Sequence, residues 1–119
     1  MTKNDPRADM LQGTLDLLIL HALSLGAMHG WGLSQRIRDL SRDVLQVNQG
    51  SLYPALHRLE YRGLIESRWG TSENNRRAKI YSMTAGGERR LGVELRDWSR
   101  FVQAMQWVLE TPRPAQAEG

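Results

Sequence analysis

The sequence predicts a mainly α fold with one small β-hairpin, and three observations carry that expectation. Apolar residues recur at three- and four-residue steps in four stretches, the spacing of helices with a buried face. Before the last stretch lie two short runs, 64–69 and 78–83, that alternate loosely around a polar turn. The 119 residues suit one domain, and 40% apolar against 24% charged residues is a globular balance with a modest core.

The first helix is expected over residues 10–25. Leu11, Leu15, Leu18, Ala22 and Leu25 form its stripe, and Leu17, Ile19, Leu20 and Leu23 widen it. A helix apolar on most sides is wedged between other helices. Gly26 and then the run from His29 to Gly32 break the pattern and turn the chain. A second helix follows over about 33–41, with Leu33, Ile37 and Leu40 on one face and Gln35, Arg36, Arg38 and Asp39 on the other.

After a connection, a third helix is expected over about 49–62, with Leu52, Leu56 and Leu59 inward and Ala55 and Tyr53 beside them. Pro54 is tolerated cheaply if Ser51 is the N-cap, whereas a start at Asn48 puts a distortion around it. Gly63 ends the helix. The hairpin turns through residues 70–76, where Asn74 and Asn75 tolerate left-handed backbone. Thr84 is a suitable N-cap for the last helix, about 85–110. There Leu91, Leu95, Trp98, Val102, Met105 and Leu109 alternate at steps of four and three, a heptad seam that calls for a partner helix. Pro112 and Pro114 close it.

Composition narrows the function. With no cysteine there are no disulfides and no thiolate metal sites. The N-terminal residues lack the apolar run of a signal peptide, and the greasiest stretch, 15–20, is far too short to span a bilayer, so the expectation is a cytoplasmic protein with no membrane partner. His21, His29 and His57 lack metalloprotease spacing. Asp16 and His21 do not share a helix face, and no carboxylate pair, nucleophile elbow or phosphate-binding glycine loop is present. The expectation is therefore neither an enzyme nor a metal or cofactor binder.

Charge is more informative in its distribution than in its total of +3. Residues 56–90 hold eight Lys/Arg against four acids, while the flanking segments are close to neutral. Three helices followed by a basic hairpin describe a winged helix-turn-helix. The third helix suits the DNA major groove, and its start is polar: Asn48, Gln49, Ser51 and Tyr53, with His57 and Arg58 further along. The hairpin carries Arg76, Arg77 and Lys79 to phosphate or the adjacent minor groove. Taken singly, Gln49 and Ser51 serve equally as helix caps, His57 as a surface histidine, and the arginines as a solvated turn. The reading rests on their order and co-location. It places a DNA-binding unit at 10–83, a dimerisation helix at 84–110, and flexible tails at 1–9 and 111–119.

At this point the sequence resembles the PadR family of bacterial transcriptional regulators. The resemblance lies in residues 11–20, the turn at 28–32, the run 49–60 (QGSLYPALHRLE), Gly63 to Ile65, the wing at 76–81 and Thr84 to Gly87. The run Leu-Tyr-Pro-Ala-Leu-His-Arg-Leu-Glu is its most specific piece. A single C-terminal helix suits the compact subfamily. The resemblance implies a repressor that binds double-stranded DNA at a near-palindromic operator as a homodimer, with release by phenolic or planar ligands in some members. Trp31 stands where tyrosine is common, Asn74-Asn75 where glycine is, and Ile80 where an aromatic is. The wing change bears on minor-groove contact, not on the fold.

Two further readings stay open. Trp98 either packs the dimer seam, the favoured reading, or sandwiches a small aromatic effector across it with Trp107 nearby. The winged helix could also serve as a protein-interaction module or as a non-specific architectural DNA binder.

Overall fold

The computed structural model describes residues 6–115, with side chains from residue 13 onward. The expected tail residues 1–5 and 116–119, and the Leu11 side chain, lie outside the described residues. The first helix, α1 (Pro6–Ser24), starts four residues earlier than the apolar pattern suggests. It packs against α2 (Gly30–Leu40), α3 (Gln49–Tyr61), the strand β3 (Arg77–Met83) and α4 (Ala85–Glu110). That central position explains why Leu17, Ile19, Leu20, Ala22 and Leu23 are all buried: neighbours cover it on several sides. Leu25 and Leu40 differ from expectation. Both lie at or past a helix end and are exposed.

The sheet has three strands rather than two. A two-residue strand, β1 (Met28–His29), adds to the hairpin of β2 (Ile65–Thr71) and β3, in the antiparallel order β1-β3-β2. Met28 pairs with Tyr81 and His29 with Ile80. In the hairpin, Ile65 opposes Met83, Trp69 opposes Lys79 and Thr71 opposes Arg77. The odd-numbered residues of both strands therefore share one face, which runs from buried Ile65 and Tyr81 out to Trp69, Lys79 and Arg77. The turn closes where the Ser72 N–H donates to the Arg76 carbonyl at 2.8 Å, and Asn75 takes the left-handed position at φ 60°.

Each helix end has a local cause. Arg36 donates to the carbonyls of Ala22 and Gly26, both at 2.8 Å, so a cation on α2 caps the C-terminus of α1. Gly63, at φ 77°, ends α3. Its N–H donates to Glu60 O at 2.9 Å and the Leu64 N–H to Leu59 O at 3.0 Å, the paired bonds of a Schellman turn. Thr84 caps α4 as expected, its hydroxyl accepting from the Gly87 N–H at 3.0 Å and donating to Gly63 O at 2.7 Å. One side chain thus joins the end of α3 to the start of α4.

Candidate nucleic-acid interface

The N-cap of α3 is Asn48. Its Oδ1 accepts from the Ser51 N–H at 2.9 Å, and the helix begins at Gln49. This corrects the Ser51 alternative and places Pro54 within the helix, where it has no N–H for the Gly50 carbonyl. Part of the hydrogen-bonding capacity of Asn48 is therefore spent inside the protein. Gln49, Tyr53 and His57 follow one another at four-residue spacing, and all three are exposed. At 3.6 residues per turn they form one stripe on an exposed flank of the helix, about a quarter turn round from the buried Leu52, Leu56 and Leu59. Ser51 is exposed in the first turn but stands off that stripe.

Tyr53 is set by a glycine. A methyl group at Gly30 would lie 2.7 Å from the Tyr53 ring, so only a residue without Cβ lets the ring lie on the first turn of α2. Tyr53 then forms one wall of an open groove of about 430 Å³ between α3, the start of α2 and the hairpin. Arg76, Arg77 and Lys79 line the opposite wall, with Trp31 and His29 at the α2 end. The structure thus brings Tyr53 together with the three basic residues expected at the hairpin, Arg76, Arg77 and Lys79.

Arg77 is also ordered. Its guanidinium lies 4.4 Å from the centroid of the exposed Trp69 ring. Trp69, Trp31 and Glu73 are site residues that sequence reasoning passed over. Trp69 had a signal in the alternation of β2, which puts it on the same face as Lys79 and Arg77. Glu73 had none, because its partner is 44 positions away. Its carboxyl is lowered from its ordinary value by its own backbone N–H and by His29, and among the described residues it is the one acid lining the groove.

Arg58 lies outside this groove. It donates to Asp16 Oδ1 at 2.9 Å, on the flank of α3 that faces α1 and α4, in a recess shared with Arg90 and Glu94. It stands 100° further round the helix than His57, which is enough to change neighbours. Asp16 lies largely buried there. Burial raises its carboxyl above the ordinary value, against the attraction of Arg58.

On α4 the heptad residues divide. Leu91 is buried in the core, at 7% exposure, whereas Leu95, Trp98, Met105 and Leu109 are 41%, 42%, 43% and 73% exposed. Val102 is half-buried, and Trp98 stacks at a tilt on Phe101 with centroids 5.8 Å apart. Among the described residues no helix is long and apolar enough to cross a membrane, and no cluster of His, Asp and Glu has metal-site geometry.

Comparison with known proteins agrees with this architecture. Residues 19–93 match the transcriptional regulator PadR-like family. The transcriptional regulator Rv3488 of Mycobacterium tuberculosis is 38% identical over 80 residues, covering 67% of this chain and 71% of its own. A PadR-like transcriptional regulator from Bacillus cereus superposes with a TM-score of 0.74 at 27% identity, covering 87% of this chain and 99% of its own. A transcriptional regulator from Clostridium thermocellum gives 0.74 at 28% identity, covering 82% and 95%. With its winged helix and basic groove, the chain belongs to the PadR-like family of transcriptional regulators, as a DNA-binding regulator and not an enzyme.

Proposed function

We propose that the chain is a cytoplasmic repressor that binds a near-palindromic operator as a homodimer. The observation that carries this reading is the exposed apolar seam on α4. Leu95, Trp98, Met105 and Leu109 line one side of a helix that outruns the core, and a second copy of the seam is their natural cover. A two-fold axis through α4 would present two α3 helices to successive major grooves, roughly 34 Å apart or a multiple of it. Gln49, Tyr53 and His57 then face base edges, while Arg76, Arg77 and Lys79 meet the backbone or the minor groove.

The test is selection of duplexes from a random pool, followed by titration of the winner and a scrambled control at two salt concentrations. The reading expects a palindromic winner and a clear gap between the two. Gln49→Ala should narrow that gap, whereas Arg77→Ala should weaken both duplexes alike and flatten the salt slope. Equal, salt-sensitive binding to both duplexes would mark an architectural binder. Absence of binding to either would mark a protein-interaction module.

A second reading, release of DNA by a small aromatic effector, is favoured by the Trp98–Phe101 pair. With Leu17 these rings line a shallow recess of about 200 Å³ against α1. Packing of the dimer seam remains the first role of Trp98. Quenching of tryptophan fluorescence by planar aromatic compounds, lost in Trp98→Leu, is the outcome the effector reading expects.

A further inference from the structure

His29 is bonded at both ring nitrogens. Its Nδ1 accepts the Gly32 N–H at 3.0 Å, which makes His29 the N-cap of α2. Because Nδ1 is an acceptor, the ring proton sits on Nε2. That N–H donates to Glu73 Oε1 at 3.1 Å. The side chain is 11% exposed and the ring stacks against Trp31 with centroids 6.4 Å apart, so it has little freedom to turn away.

Glu73 opens the turn at the tip of the wing, between Ser72 and Asn74. Sheet pairing ties only the base of the wing to the body, since β1 ends at the His29–Ile80 pair. Beyond that pair the hairpin is a two-stranded arm, which is marginally stable alone. As a bare charge, Glu73 is a handicap, because it repels phosphate in a groove lined by Arg76, Arg77 and Lys79. As a hydrogen-bond acceptor it does something else: it ties the arm's tip to the cap of α2.

We propose that the His29–Glu73 hydrogen bond is a tether that fixes the wing tip against α2, with His29 and Glu73 as positioning residues for Arg76 and Arg77. The inference rests on the proposed DNA-binding reading. It extends that reading from which residues meet the backbone to what aims them.

Two substitutions separate the tether from the charge. Glu73→Gln and Glu73→Ala remove the same negative charge, but only glutamine keeps a carbonyl that can accept from Nε2–H. The turn is exposed, so neither change threatens folding. The full chain and both variants are compared by nitrogen-15 relaxation of residues 72–76 and by affinity for a duplex recovered from the random pool. Glu73→Gln should keep the tip ordered and bind at least as tightly as the wild type. Glu73→Ala should loosen the tip and bind about 3–10-fold more weakly than Glu73→Gln. Equal affinities, with or without a looser tip, overturn the positioning role. If no duplex binds the wild type, the DNA-binding reading fails instead. The relaxation comparison then decides the tether alone: a looser tip in Glu73→Ala supports it and unchanged order overturns it.

Discussion

Trp69 and Asp16 show how single side chains set the interface and its support. The guanidinium of Arg77 rests on Trp69, which limits where the charge can go. An exposed cation–π contact contributes about 0.5–1 kcal/mol, so Trp69→Leu should weaken DNA binding about 2–5-fold while Trp69→Phe keeps most of it. Titration of one duplex against the three proteins checks this. Asp16 makes a pH prediction. Its folded carboxyl is raised above 3.8 by burial, so ionisation costs more in the folded chain than in the unfolded one. Its contribution is full below the unfolded value and is lost as pH rises through the raised folded value. The Tm of the wild type should therefore gain on that of Asp16→Asn as pH falls from neutrality toward about 4. A gap that moves the other way would contradict the burial argument. Of these residues, Arg77 was legible as a charge in a turn, but the pairing of Arg58 with Asp16 was not. One step along a helix turns a residue by 100°, and sequence does not say which flank a neighbouring helix occupies.

At the scale of elements, the ends of α3 and α4 depend on two glycines with different duties. Gly63 supplies a left-handed backbone in open space, so Gly63→Ala should cost about 1–2 kcal/mol. Gly87 lies against the Leu64 carbonyl, where a methyl group has no room, so Gly87→Ala should cost more and should loosen α4 from the sheet. Thermal denaturation of the two variants gives the order directly. The α3 terminator and the α4 seam were readable, because a helix followed by glycine and a heptad spacing are local patterns. The start of α2 was not. Gly30 and Gly32 look like helix stoppers in sequence, yet they open α2 because the Tyr53 ring and the Met28 side chain occupy the space above them. β1 was equally hidden, since two residues are too few to show alternation.

At the scale of the molecule, shape and charge point the same way. The radius of gyration is 17.7 Å, against about 13.5 Å for a compact chain of this length. The excess reflects the 26-residue α4, on which Leu95, Trp98, Met105 and Leu109 stay exposed. Leu95→Glu should leave the single chain folded, because Leu95 is exposed within it, and should convert the proposed dimer to monomer. Sedimentation at matched concentrations checks that. The seam, the basic block and the order of elements were all legible in the sequence. The groove was not, because it forms only when Tyr53, the start of α2 and the hairpin meet in space.

The central claim is that two chains act together on one operator. The most direct measurement is the mass of the protein–DNA complex, by sedimentation or native mass spectrometry, on the selected duplex and on the same duplex with one half-site scrambled. Two chains on the intact site, with affinity collapsing when either half is scrambled, is the predicted result. One chain per duplex, or binding indifferent to the second half-site, would contradict it.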